Sequence, residues 1–300
     1  MAFLAVAGCT RFGGKLDGAF TVFATSVAER SAGAGESTQV NLTSASMPMP
    51  RLAFTTAETP VEELLPAGDQ PLPMNGLCPP DMASIEDRYC VDKYEASLVE
   101  VLPTGEERAW PYYQPVDKGI LEEGHIVRAV SEKGVYPQGY ISGKQAAAAC
   151  KASGKRLCRP AEWRKACKGP SVQQFGYGEL RKPGVCNDTG KSAIGFYHGV
   201  EIANGTAFSS FHVMNDPKLN QLPGTLAETG SHEGCTNGYG VQDMVGNIHE
   251  WVDDPEGTFQ GGYYLDVTQN GGGCGYRTDA HNFTYHDYST GFRCCADIGQ

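Results

Sequence analysis

Long apolar runs are missing from this 300-residue chain: no stretch approaches the roughly 18 consecutive apolar residues that a helix needs to cross a bilayer. Positive charge is also scarce. Lys and Arg number 24 against 35 Asp and Glu, a net charge of −11. No Lys/Arg stripe offsets that balance, which disfavours nucleic acid and anionic membrane surfaces as partners. The one dense basic stretch, Lys151, Lys155, Arg156, Arg159, Arg164, Lys165 and Lys168, reads as the solvated faces of two short helices. Internal repeats and heptads are lacking, and the cysteines are not arranged as the paired C-x-x-C knuckles of a zinc ribbon.

Glycine, proline and cysteine are plentiful. The 38 Gly and 18 Pro beside 40% hydrophobic residues describe a loop-rich globular protein, long enough for one large core or two modest ones. Eleven cysteines are too many for idle thiols in a reducing cytosol and point to an oxidising compartment. The N-terminus agrees. Leu4-Ala5-Val6-Ala7-Gly8-Cys9 resembles a bacterial lipoprotein signal whose cysteine is lipidated after cleavage. Only eight residues precede Cys9 and none is Lys or Arg, so the start codon is expected to be placed too late. The expectation is an exported lipoprotein of the cell envelope or periplasm, or a secreted protein, that meets membrane only through a multiply acylated Cys9. Removing Cys9 leaves ten cysteines, enough for five disulfides.

Three regions follow: a truncated signal over 1–9, a flexible tether over 10–75, and a folded domain over 76–300. The tether is rich in Ser, Thr, Ala, Gly and Pro and buries too little apolar surface to offset its ordering entropy, although Ala19–Val27 suits a short strand. From Cys78 a denser apolar pattern begins. Ser142 to Gly154 is the clearest helix, with Ser142 as cap, an alanine run and a glycine stop; Pro160 opens a second helix that runs through Trp163 to about Cys167. Between Gly169 and Gly240 the chain is punctuated by Gly, Pro, Asn and Asp, with few runs long enough for a helix or strand.

Three separated blocks resemble the formylglycine-generating enzyme, or sulfatase-modifying-factor, family. They are Cys90-Val91-Asp92-Lys93-Tyr94-Glu95-Ala96-Ser97; Gly154-Lys155-Arg156-Leu157 with Pro160-Ala161-Glu162-Trp163; and Asp243-Met244-Val245-Gly246-Asn247-Ile248-His249-Glu250-Trp251 with Gly261-Gly262 and Gly291-Phe292-Arg293-Cys294. The resemblance implies an α+β, disulfide-rich, C-type-lectin-like fold with little regular secondary structure. It also implies disulfides Cys150–Cys294 and Cys167–Cys274. For the remaining cysteines the expected pairs are Cys78–Cys90, Cys186–Cys235 and Cys158–Cys295, although sequence alone leaves connectivity open.

The resemblance implies a structural calcium ion held by Asp243, the carbonyls of Gly246 and Ile248, and Glu250, a donor set that suits a hard cation. A second calcium would start near Asn187, with Asp188. The family's oxidases bind Cu(I) through two cysteines shortly after the Gly-Gly pair. Here the first falls at Asp266 and the second in Val267–Gly273, which holds no cysteine. Carboxylate oxygen is a poor Cu(I) ligand, so copper is not expected. The Ser and Trp that the family places near its substrate fall at Tyr263 and His249.

What occupies the region is polar: His249, Asp266, His281, His286 and Asp287, among Tyr263, Tyr264, Tyr276, Tyr285 and Tyr288. Two readings follow. In the first the domain is a binding or structural module for a protein, peptide or glycan ligand, with calcium as a structural ion. In the second it is an enzyme with a variant site, either a formylglycine-generating-type oxidoreductase with an altered metal centre or divalent-metal or acid–base chemistry at His249, Asp266, His281 and His286. Taken singly, each histidine is better explained as a surface-loop or hydrogen-bonded turn residue.

Overall fold

The computed structural model describes residues 77–116 and 118–299, all within the unit that spans Pro71–Gln300. Cys9, the tether and its Ala19–Val27 segment lie outside the described residues. The regular elements in chain order are β1 (Met82–Ile85), β2 (Tyr89–Asp92), β3 (Ala96–Val101), β4 (Glu107–Ala109), α1 (Lys118–Glu122), β5 (Ile126–Ser131), α2 (Gly143–Ala152), β6 (Arg156–Leu157), α3 (Pro160–Lys168), α4 (Ala193–Tyr197), α5 (Gly199–Ala203), α6 (Phe211–Met214), β7 (His249–Trp251), β8 (Phe259–Gln260), β9 (Arg277–Thr278), β10 (Thr290–Phe292) and β11 (Cys294–Asp297). Three small sheets result, ordered β1-β2-β11-β6, β10-β7-β8-β9 and β4-β3-β5.

The two longest helices are set by their ends. Ser142 accepts from the Gln145 amide at 3.3 Å while the Gln145 side chain accepts from the Ser142 amide at 3.0 Å, a reciprocal cap that opens α2. Gly154, at φ +67°, supplies the left-handed turn just beyond its end. In α3, Pro160 needs no hydrogen-bond donor in the first turn, Glu162 accepts from the Arg159 amide at 2.9 Å, and the inward face buries Trp163, Ala166 and Cys167.

Five disulfides tie these pieces together: Cys78–Cys90, Cys150–Cys294, Cys158–Cys295, Cys167–Cys274 and Cys186–Cys235. Cys294 and Cys295 are neighbours on β11, and successive side chains on a strand point to opposite faces. Cys294 therefore reaches α2 within the core around Trp251 and Phe292, while Cys295 reaches Cys158 within the core around Trp163. One strand thus staples two cores.

Two sequence expectations need correction. Lys155 and Arg156 do not lie on solvated helix faces. The chain leaves α2 at Gly154 and enters β6 at the edge of the first sheet, which turns both side chains onto acids. Lys155 is buried, with Nζ 2.6 Å from Asp92 Oδ1 and paired also with Asp81; Arg156 bridges Glu162 and Asp297. The stretch after Gly169 is also less irregular than its punctuation suggests, because α4, α5 and α6 fall within it. Ser192 and Ser210 cap the first and last of these, accepting from the Gly195 and Val213 amides.

Candidate functional site

The loop that enters β7 is shaped by main-chain crowding. Gly246, at φ +83°, has no room for a Cβ, which would stand 2.4 Å from the Asn187 carbonyl oxygen; the Asn247 amide donates to that same oxygen at 2.8 Å. The Gly246 amide donates to the carbonyl of Gly261, where a Cβ would meet Met244 O at 2.8 Å and press on the Trp163 ring. Gly261 is therefore a steric requirement of the close approach between this loop and β8, and Gly262, whose Cβ would stand 2.3 Å from Asp266 O, is one of the turn that follows.

That geometry delivers a buried charge cluster. Arg293, fully buried on the short link between β10 and β11, donates from Nε to Glu250 Oε2 and from a terminal nitrogen to Glu250 Oε1, both at 2.7 Å. Its remaining donors reach the carbonyls of Asp92, Lys93 and Gln242. Trp163 Nε1 adds a third bond to Glu250, at 2.6 Å. Beside them, Glu95 is fully buried: Oε2 accepts from Asn247 Nδ2 at 2.7 Å, and Oε1 has no partner. Burial, then the charges of Asp243 and Glu250, hold the Glu95 carboxyl well above its usual range. Burial likewise pushes Asp243 up to about 6. Three buried acidic side chains thus stand near one guanidinium, and only Glu250 bonds it.

The four residues expected around calcium are partly open to a cation. Asp243 accepts from the Gly230 amide through Oδ2 at 2.6 Å, and its other oxygen receives no donor among the described residues. None of the loop hydrogen bonds is accepted by the Gly246 or Ile248 carbonyls. Glu250 is committed to Arg293 and Trp163. The Asp243 oxygen and the two carbonyls are donors of the kind a hard divalent cation takes. The second expected calcium site does not fit. Asp188 is already neutralised by Arg181 Nε at 2.7 Å and accepts from the Gly184 amide, while the Asn187 carbonyl accepts from the Asn247 amide at 2.8 Å.

The expected His/Asp centre does not assemble. His249, on β7, is 5% exposed and boxed by Phe259, Tyr263 and Tyr276, with ring centroids 4.7, 4.8 and 5.4 Å away. Its Nδ1 is buried without a partner, and burial, helped by neighbouring His281, lowers its pKa to about 3. His281 stacks on Tyr285 at 3.8 Å and over Phe259 at 5.8 Å. His286 turns away, with Nδ1 2.8 Å from Asn215 Oδ1 and its ring edge-on to Phe211. Asp266 caps its own turn, accepting from the Thr268 and Gln269 amides. Asp287, buried, accepts from Tyr285 Oη and from Ser289. His249 shares Phe259 with His281 and shares Tyr263 and Tyr276 with Asp266, but no group of three or more His, Cys, Asp or Glu among the described residues is placed to hold a metal. Rings surround His249 on three sides, and beyond it the Tyr264 hydroxyl is also buried without a partner.

Sequence reasoning passed over Arg293, Glu95 and Asn247 as members of the site. The available clue was Arg293 itself: a cation between Phe292 and two half-cystines must be buried and therefore paired.

A model of the sulfatase-modifying factor enzyme 1-like domain matches residues 82–298. The formylglycine-generating enzyme of Mycobacterium tuberculosis is 27% identical over 123 residues, which make up 41% of this chain and 35% of that protein. The matched stretch thus spans about a third of that relative's length. Among solved structures, the U1 variant of Major Tropism Determinant superposes with a TM-score of 0.40 at 12% identity, covering 75% of this chain and 54% of that one. PvdO from Pseudomonas aeruginosa gives 0.40 at 13% identity, covering 70% and 80%.

Proposed function

The chain belongs to the sulfatase-modifying factor enzyme 1-like family, and from that premise we propose that it is an exported binding module of the family's α+β, C-type-lectin-like fold rather than a copper oxidase. The observation that carries this reading is the state of Cys274. It is the nearest cysteine to the vacated copper positions, and it is joined to Cys167. The other nine described cysteines are paired as well, so the described residues offer no thiolate to Cu(I). Asp266, at the other copper position, is a carboxylate whose Oδ1 accepts from the Thr268 and Gln269 amides. The rival reading, a divalent-metal or acid–base centre at His249, Asp266, His281 and His286, is disfavoured because His286 turns away to Asn215 and no group of three or more His, Cys, Asp or Glu among the described residues is placed to hold a metal. Five disulfides in one domain favour an oxidising compartment, either the cell envelope or periplasm or outside the cell.

The oxidase question is tested on the purified full chain by competitive titration with Cu(I) and by oxygen uptake in the presence of a cysteine-containing peptide and a reductant. The expected result is no stoichiometric copper and no uptake above the peptide-free rate. Peptide-dependent turnover overturns the reading.

A structural calcium at Asp243 and the Gly246 and Ile248 carbonyls belongs to the same reading. A divalent cation would offset the buried carboxylates that Arg293 alone does not balance. Calcium at about a hundred times its dissociation constant should then stabilise the domain by about 2.7 kcal/mol over the chelated protein. Equal melting temperatures in calcium and in chelator, for protein shown to be free of metal beforehand, remove the ion from the account.

A further inference from the structure

The segment between Lys191 and Lys218 carries a surface that neither the cleft nor the disulfide core uses. Its helical turns bury Ala193, Ile194, Ala207 and Val213 against Tyr140, Tyr264 and their neighbours. The side chains left outside are large and apolar: Phe196, Val200, Phe208 and Phe211 are 69%, 71%, 65% and 66% exposed. Side chains exposed to that degree project from a surface rather than line a groove. Successive elements touch, α4 on α5, α5 on the 3-10 turn Ala207–Ser209, and that turn on α6, so the four residues belong to one helical knob.

Charge sharpens the character of this knob. From Ser192 to Asn215 there is one carboxylate, Glu201, and no Lys or Arg, in a chain whose net charge is −11. The cations stand at the two ends of the segment, where Lys191 and Lys218 are both exposed. Those ends come together, because α4 packs on the 3-10 turn Leu219–Gln221 and the Lys191 amide donates to Gly224 O at 2.7 Å. Aromatic side chains thus project from a base that carries two ammonium groups and one carboxylate, Asp216, which His198 Nε2 meets at 2.9 Å.

We propose that this knob inserts into the interface of a zwitterionic phospholipid bilayer, with Phe196, Val200, Phe208 and Phe211 among the upper acyl chains and Lys191 and Lys218 at the level of the lipid phosphates. Lysines commonly extend to that depth while apolar neighbours enter the hydrocarbon. A second copy of the chain fits less well. Three phenylalanines of about 150–250 Å² each, two-thirds exposed, offer with Val200 roughly 400–500 Å², against the roughly 800 Å² per partner of a stable interface. Such a contact would also bring two chains of charge −11 together. A bilayer demands neither complementary shape nor register from convex, separately mounted side chains. The excess of negative charge selects against anionic lipid. The inference does not depend on whether the cleft is catalytic.

The test uses the full chain carrying Cys9→Ala, which removes any acyl anchor, floated with phosphatidylcholine vesicles. Partition that persists in high salt is expected, and Phe196→Ser/Phe208→Ser/Phe211→Ser together should lower the partition coefficient at least roughly tenfold, as loss of buried aromatic surface requires. Exposed positions should leave the urea midpoint unchanged; if the triple variant fails to fold, Phe208→Ser alone, with a loss of roughly threefold or more, carries the test. The proposal is overturned if the parent chain does not float, or if the variants float equally well. Lipid-free, concentration-dependent dimerisation that the triple variant abolishes also overturns it and gives the face to a second copy.

Discussion

Replacing Arg293 with Met is expected to lower the stability of the domain by about 3–5 kcal/mol, the range for breaking a buried ion pair by removing one partner. Arg293 is fully buried, it makes two bonds to Glu250, and its other donors satisfy three main-chain carbonyls. Without it, Glu250 keeps the Trp163 bond but loses its neutralising charge, while Glu95 and Asp243 remain nearby. A domain stable by about 5–15 kcal/mol would lose a large share of its margin. Arg293→Lys should be intermediate, because an ammonium keeps the charge but cannot reach both oxygens of Glu250 and the carbonyls at once. Glu250→Gln in the Met background should recover part of the loss, since it removes the charge left behind. Urea midpoints with the disulfides intact provide the measurement. A change below about 1 kcal/mol for Arg293→Met would falsify the assignment of this cluster as the energetic centre of the fold.

The same cluster explains how the family scaffold persists around an altered cleft. Glu250 and His249 are adjacent on β7, and alternation sends them to opposite sides of the strand. Glu250 meets Trp163 and Arg293, while His249 meets Phe259, Tyr263 and Tyr276. Substitutions on the His249 side therefore leave the charge cluster intact. The disulfides divide in the same way. Cys274 secures α3 through Cys167, so drawing it into a metal centre would undo a crosslink that closes a loop of 107 residues. A crosslink of that span is worth on the order of 4–5 kcal/mol.

Legibility in the sequence followed range. The start of α2 could be read because its cap spans four consecutive residues, Ser142 to Gln145, and the start of α3 because Pro160 acts through its own ring. Residues 193–214 could not be read as helices: elements of four or five residues complete little more than one turn, too few for a 3.6-residue period to repeat. Long-range charge was hidden for a different reason. Lys155 meets Asp92 across 63 positions and Asn247 meets Glu95 across 152. Spacing along the chain carries no trace of such contacts, and Lys155 read as one more solvated cation. The cleft failed differently again. The motifs brought His249 and Asp266 to the right neighbourhood, but side-chain direction decides whether neighbours form a site. His286 spends its Nδ1 on Asn215, on the turn after α6, whose existence the sequence did not announce.

His249 should make the domain lose stability as pH falls. Its imidazole is buried among rings and holds its proton only below about pH 3, whereas in the unfolded chain it takes one up near 6.5. The folded state therefore binds fewer protons throughout that window. Stability due to His249 is fully present above pH 6.5 and drains as pH falls towards 3, at about 1.4 kcal/mol per pH unit. Between pH 6.5 and 4.5 the loss should be about 2–3 kcal/mol, and over the whole window on the order of 4 kcal/mol. His281 and His286, whose pKa values burial also lowers, slope the same way, whereas Asp243, raised to about 6, and Asp92, Glu95 and Asp287, also raised by burial, slope the opposite way above their unfolded pKa values. The total pH profile is thus a compromise, and a substitution is needed to isolate one group. His249→Phe keeps an aromatic ring against Phe259, Tyr263 and Tyr276 and removes both the titration and the unpartnered Nδ1. Relative to the parent chain, the variant should gain stability steadily as pH falls from 6.5 to 4.5 in urea denaturation series. Curves that stay parallel across that interval would mean that His249 is solvated or hydrogen-bonded in the folded protein, and its place as a sealed, neutral ring beneath the cleft would have to be given up.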